Sequence, residues 1–274
     1  MYSQIIFKRL RAAIVLFASA VLALSTCAHA ADGRATNGPH PTTVVLVHGA
    51  FADASSWNRV IPKLLAAGYD VVAVANPLRG LGSDSAYIGG LVSTIAGPVI
   101  LVGHSYGGAV ISNAAPGHDN VKALVFVAGF APDTGESAFG LVGKFPGSTL
   151  GDALVPVELD AGVHDLYVKQ AAFRGPFAAD VAPDKVKLMA ATQRPITDVA
   201  GNEPSRYAAW KMLPSWFIYG SADMSIPPAV HAFMAERAHA RRIEVVPGAS
   251  HVVMVSHPNE VVKMIREAAD ATRG

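Results

Sequence analysis

A single cysteine in 274 residues leaves neither a disulfide framework nor a cysteine-built zinc site available to this chain. Charge is also scarce, at 16% of residues, and it is balanced, with 22 Lys and Arg against 21 Asp and Glu. No basic field exists to gather phosphates, so nucleic-acid binding is excluded as a function class. No H-E-x-x-H, Walker loop or G-x-G-x-x-G occurs, which removes metalloprotease, P-loop NTPase and dinucleotide oxidoreductase readings. Internal repeats and low-complexity tracts are missing too. What is plentiful is apolar surface: 51% of residues are hydrophobic, enough for a sizeable core and far from the composition of a disordered chain.

The N-terminus reads as an address. Lys8, Arg9 and Arg11 precede an apolar run from Ala12 to Leu24, and Ala28-His29-Ala30 then matches the small-residue ending of a secretory signal peptide. The expectation is a signal peptide over residues 1–30, cleaved after Ala30, and one domain over residues 31–274 in the periplasm or outside the cell. The apolar run is shorter than the roughly 20 residues of a membrane span, so no stable membrane insertion is expected after processing. An alternative is lipid modification of Cys27, since Leu24-Ser25-Thr26-Cys27 loosely resembles a lipobox.

From Thr42 onward, short β-branched runs alternate with segments of helical period. Thr43 to Val47, Asp70 to Ala75, Val99 to Val102, Val121 to Ala128, Ser215 to Tyr219 and Arg242 to Val246 read as strands, mostly continuous apolar runs of the kind buried on both faces of a parallel sheet. Helices are expected at Ser56 to Ala67, Ser83 to Ile95, Tyr106 to Ala115, Pro228 to Ala240 and Pro258 to Ala269. This alternation predicts an α/β fold with a mostly parallel, doubly wound sheet and a ligand crevice at the carboxyl ends of its strands. Residues 133–212 break the rhythm with scattered Gly and Pro and no strand of convincing length. They read as a cap inserted between two sheet strands.

Gly103-His104-Ser105-Tyr106-Gly107 is G-x-S-x-G, with a strand before it and a helix after it. In that context the glycines permit a turn so sharp that the Ser105 hydroxyl stands exposed as a nucleophile. A serine hydroxyl reacts only when a base takes its proton and a carboxylate orients that base. Among ten histidines, His251 alone follows the last strand closely, in Pro247-Gly248-Ala249-Ser250-His251, and is the expected base. His231 and His239 read as a solvated helix face, and His118, His164 and His257 as turn or helix-start residues. Asp223, after the strand Ser215 to Tyr219, is the expected acid and gives the chain order Ser, Asp, His; Asp133 is its rival. Asp84 and Glu136 read as loop or cap residues. Backbone N–H groups for an oxyanion are expected from Tyr106 and from the loop His48-Gly49-Ala50-Phe51, with Ala50 the first candidate there and Phe51 the second. His48 reads as a brace for that loop.

These stretches resemble the α/β-hydrolase fold superfamily, in the branch of small bacterial serine esterases related to plant methyl esterases and hydroxynitrile lyases. The resemblance runs through Val44-Val45-Leu46-Val47-His48-Gly49-Ala50-Phe51 with Trp57, Gly103 to Gly108, Pro132-Asp133-Thr134, Asp223 with Ile226-Pro227-Pro228, and Gly248-Ala249-Ser250-His251. It implies Asp223 as the acid, no cofactor and no metal. The implied substrate is a small, often hydrophobic carboxylic ester. Phe139, Phe145, Phe173, Phe177 and Trp210 then suggest either an apolar substrate pocket or the cap's own small core. The resemblance also raises a lyase reading, but hydroxynitrile lyases carry a threonine where Gly49 stands and a lysine where Val252 stands. A catalytically silent ligand-binding member of the fold is the other alternative, and a perhydrolase-type side activity on the same three residues is a third.

Overall fold

The computed structural model describes residues 41–273; the expected signal peptide and Cys27 lie outside them. Six strands form the main sheet: β1 (Thr43–Val47), β2 (Asp70–Val74), β3 (Val99–His104), β4 (Val121–Val127), β8 (Ser215–Gly220) and β9 (Arg242–Val246). Their order is β2-β1-β3-β4-β8-β9, and every neighbouring pair is parallel. The central strands β1 and β3 are buried along their whole length, which accounts for their unbroken apolar sequences. The outer strands β2 and β9 are half exposed and more polar.

Helices α1 (Ile61–Ala66), α2 (Leu81–Val92), α3 (Tyr106–Ala114), α8 (Pro228–Arg237), α9 (Val253–Ser256) and α10 (Pro258–Asp270) flank this sheet. The helix expected over Ser56 to Ala67 is interrupted. A 3₁₀ turn at Ala54–Trp57, capped by the Asp53 carboxylate at the Ser55 N–H, gives way to α1, whose second residue is Pro62. Pro62 cannot donate the hydrogen bond that a continuous helix would need, so it starts a new helix instead. Helix α3 is buried on nearly all sides, whereas α10 buries one stripe, with Val261, Met264, Ile265 and Ala268 inward.

Between β4 and β8 lies a smaller assembly. It holds α4 (Ala138–Val142), α5 (Arg174–Phe177), α6 (Pro183–Thr192) and α7 (Asp198–Asn202), and a three-stranded antiparallel sheet of β5 (Leu154–Glu158), β6 (His164–Val168) and β7 (Ile196–Thr197). The two five-residue strands correct the expectation that this stretch lacks strands. Strand β5 is an edge strand, largely exposed, with Pro156 inside it, so it shows neither a buried apolar run nor an uninterrupted β pattern. Among the described residues no helix is long and apolar enough to cross a membrane.

Candidate active site

Strand β3 ends in a turn at Ser105, whose backbone adopts φ 53° and ψ −125°. A side chain in that region carries a strain of roughly 1–3 kcal/mol, held here by a web of backbone bonds. The Ser105 N–H donates to Ala128 O at 3.1 Å, and Ser105 O accepts from Gly108 N and Phe130 N. The flanking glycines are dictated by crowding. A Cβ on Gly107 would lie 2.4 Å from Val47 O, and one on Gly103 2.5 Å from Gly107 O. Helix α3 begins at the next residue, Tyr106, whose hydroxyl donates to Asp84 Oδ2 at 3.0 Å. Asp84, expected to be a loop or cap residue, is instead fully buried on α2, where burial raises its pKa and the Arg79 and Tyr106 donors oppose that rise.

The loops after β8 and β9 bring Asp223 and His251 together. His251 Nδ1 and Asp223 Oδ2 are 2.8 Å apart, and both side chains are at most 1% exposed. Asp223 is ionised despite its burial, because His251 and His231 beside it hold its pKa below the ordinary carboxylate range; the Ser225 and Ile226 N–H groups also donate to it. The carboxylate therefore keeps a hydrogen on His251 Nδ1 and turns Nε2 away from the acid. Ring centroids of His251 and His104 lie 4.8 Å apart, and His104 Nε2 reaches His251 O at 3.3 Å, which seats the base beside the residue preceding Ser105. Ser105 Oγ and His251 Nε2 share no hydrogen bond among the described residues.

Asp133, the rival acid, sits elsewhere. It is one-third exposed and pairs with Lys211 at 2.5 Å, which lowers its pKa. His231, expected on a solvated face, is fully buried and donates to Asp223 Oδ2 at 3.0 Å. Its place three residues into a helix gave no outward signal of that bond; the clue was its position eight residues after Asp223, one turn beyond Pro227-Pro228.

The loop after β1 supplies the donors. Asn76 N–H donates to His48 Nε2 at 3.0 Å, so His48 carries its proton on Nδ1 and donates it to Gly49 O at 2.9 Å. Burial pulls the His48 pKa down to about 4, so this brace is neutral near pH 7. The Phe51 N–H is already engaged by Arg194 O at 2.9 Å. Ala50 N–H and Tyr106 N–H remain free among the described residues. A Cβ on Gly49 would stand 2.5 Å from Ser105 Cβ, so no side chain fits beside the candidate nucleophile.

A short cap helix closes the arrangement. Phe177 of α5 is fully buried with its ring 5.2 Å from His251, 6.4 Å from His104 and 6.1 Å from Phe51, and Phe173 packs behind it at 4.8 Å. Ser225 Oγ donates to Pro176 O at 2.8 Å and Ser250 Oγ to Asp180, so the loops carrying acid and base are both tied to this one segment. The other cap aromatics point to cap structure: Trp210 Nε1 donates to Pro132 O, Phe145 packs on Phe233, and Phe139 packs against Gly201.

With this geometry in view, residues 44–264 match the profile of the alpha/beta hydrolase family. The chain is an alpha/beta hydrolase. Among curated relatives of this alpha/beta hydrolase is esterase PIR7B of Oryza sativa subsp. japonica, 26% identical over 257 residues, covering 82% of this chain and 95% of the relative. The alpha-hydroxynitrile lyase of Arabidopsis thaliana is 26% identical over 240 residues, covering 79% and 93%. Among solved structures, polyneuridine aldehyde esterase superposes with a TM-score of 0.72 at 21% identity, covering 84% of this hydrolase and all of that chain.

Proposed function

We propose that this alpha/beta hydrolase cleaves small, hydrophobic carboxylic esters through an acyl-enzyme. Ser105 Oγ attacks the ester carbonyl while His251 Nε2 takes its proton; Asp223 holds the imidazole and offsets the charge that forms on it. Ala50 and Tyr106 N–H groups receive the oxyanion. The alcohol leaves with the proton from His251, and water then attacks the acyl-enzyme by the same route in reverse. The observation that carries this reading is the sealed Asp223–His251 pair, seated through His104 beside the strained Ser105 turn. The Phe177 ring beside His251, backed by Phe173, favours an apolar substrate. The esterase-type relatives agree with ester chemistry.

A lyase has less support. Cyanide departing as an anion into a low-dielectric site requires a cation, and Val252 provides none. Gly49 likewise offers no hydroxyl, and the 2.5 Å clearance leaves no room for one. The test is a panel of p-nitrophenyl esters of rising chain length, run beside mandelonitrile. Turnover is expected on short-chain esters, with no cyanide release above the buffer rate. Ser105-dependent cyanide release without ester turnover would overturn the reading. We further place the enzyme outside the cytoplasm through residues 1–30; the N-terminal mass of the exported protein, expected to begin at Ala31, tests that placement.

A further inference from the structure

His231 has no step in ester cleavage, yet it is bonded to the same carboxylate oxygen as the base. It stands on the first turn of α8 and reaches back to the loop after β8. Asp223 Oδ2 lies 2.8 Å from His251 Nδ1 and 3.0 Å from His231 Nε2, while Oδ1 receives the Ser225 and Ile226 N–H groups, each at 2.9 Å. An ionised carboxylate only accepts, so both imidazole nitrogens facing Oδ2 carry hydrogens. That assigns His231 the Nε2–H tautomer. Its Nδ1 is then a lone pair, buried with no partner among the described residues. A proton there would place a cation in the core with no acceptor, and burial holds the His231 pKa below the ordinary histidine value. His231 therefore meets Asp223 as a neutral dipole. Tyr219 of β8 stacks on its ring at 4.7 Å and 19°, which fixes the plane in which the N–H points.

The two backbone N–H groups hold Oδ1, so what is left to set is the aim of Oδ2 and how its charge is directed. With one imidazole on Oδ2 that charge is aimed at the base alone; a second, rigid donor on the same oxygen fixes its direction and divides the charge. We propose that His231 is a positioning residue of the acid–base pair: its Nε2–H keeps Asp223 Oδ2 aligned with His251 Nδ1 and shares that oxygen between two imidazoles. This rests on the ester-hydrolase reading of Ser105, Asp223 and His251. The titratable groups facing the pair are Asp223 between them, Tyr219 from β8, and His104 from the end of β3. Glu236 of α8 acts on Tyr219, and Asp180 holds Ser250, one residue from the base.

Two variants separate a donor from a packing role. His231→Phe keeps the stack on Tyr219 and removes the donor, while His231→Gln keeps an N–H of similar reach. For His231→Phe, kcat is expected to fall about tenfold with KM within about twofold, the size of a mispositioned catalytic group. The acid limb of kcat/KM should move to higher pH, because an undivided Oδ2 stabilises the imidazolium more. His231→Gln should recover most of the lost kcat and return the limb. A folded His231→Phe with wild-type kcat and limb overturns the proposal, as does a His231→Gln as damaging as His231→Phe. Should His231→Phe not fold, ¹⁵N NMR of the histidine-labelled wild-type chain decides between about pH 5 and 8. Neutral, Nε2-protonated His231 throughout is the expected result; an Nδ1–H tautomer or a doubly protonated ring overturns the proposal. The NMR arm needs no turnover, so an inactive wild-type protein would count against the ester reading and leave the His231 result to stand by itself.

Discussion

At the strand ends, Asp223, His251, His231 and His48 are sealed from water, and the bonds that hold them come from backbone groups and from one another. Across the cap, Arg79–Asp165, His164–Asp198 and Lys211–Asp133 each have at least one partner between one-third and about half exposed, while Arg237–Glu136 and His257–Asp180 are less exposed. The contrast sets different penalties for change. Removing one partner from a buried polar group leaves the other unsatisfied, whereas an exposed ion pair contributes about 1 kcal/mol or less. The candidate site thus lies among buried, mutually bonded groups, and the exposed cap pairs can change at little cost. The segment from α5 to Asp180 couples the two through Phe177, Pro176 and Asp180, and the Phe51 N–H bond to Arg194 O adds a second tie.

The sharpest break of that contrast is expected at its centre. Ser105→Ala or His251→Ala should remove p-nitrophenyl ester turnover by on the order of 10⁶-fold. Asp223→Asn should lower kcat by about 10⁴-fold, since an amide no longer selects the Nδ1–H tautomer. Asp133→Asn, which loses only its Lys211 pair, should change kcat by less than about twofold, within what an exposed pair can contribute. The reverse ranking would move the acid to Asp133. Gly49→Ala forces a Cβ against Ser105 and is expected to cost about 100-fold in kcat by displacing the nucleophile, with a lower Tm from overpacking.

Stability should separate the regions by pH. His48, held down to about 4 by burial, is protonated more readily when unfolded. Its contribution is therefore complete above about pH 6.5 and is lost as pH falls toward about 4, by roughly 3 kcal/mol at most. His104 and His231, also lowered by burial, act with the same sign. Asp223 is depressed in the opposite chemical sense, so its contribution persists through that window and disappears only at lower pH. Urea titrations of wild type and His48→Gln should show a steeper acid loss in wild type; equal slopes would mean that His48 is not a buried neutral brace. The smallest effect is expected at the cap. Arg79→Met should change unfolding free energy by less than about 1 kcal/mol, since Arg79 is 41% exposed at its Asp165 pair.

Legibility followed the same division. The strands β1, β3, β4 and β8 are continuous apolar runs because they are buried on both faces, so pattern alone located them. Ser105 and Asp223 were picked out because they follow such strands closely, and His251 because it lies in the loop after the last strand, the more polar β9. The cap strands were not, since exposed β5 with Pro156 has no period to detect. His231 and Asp84 were misplaced for a related reason. Each is a polar residue buried by one specific partner, Asp223 or Tyr106, that is distant along the chain or on another element. The engagement of the Phe51 N–H by Arg194 is likewise a tertiary fact, and it leaves Ala50 and Tyr106 as the open donors.

The central claim is that Ser105 is an activated nucleophile, and labelling of the folded protein with a fluorophosphonate tests it most directly. The account predicts one adduct, mapped by peptide mass to Ser105, formed rapidly in wild type, slowly in Asp223→Asn and absent in Ser105→Ala. Folded wild-type protein that takes up no label at Ser105, or that labels equally fast when His251 is replaced by alanine, would contradict it.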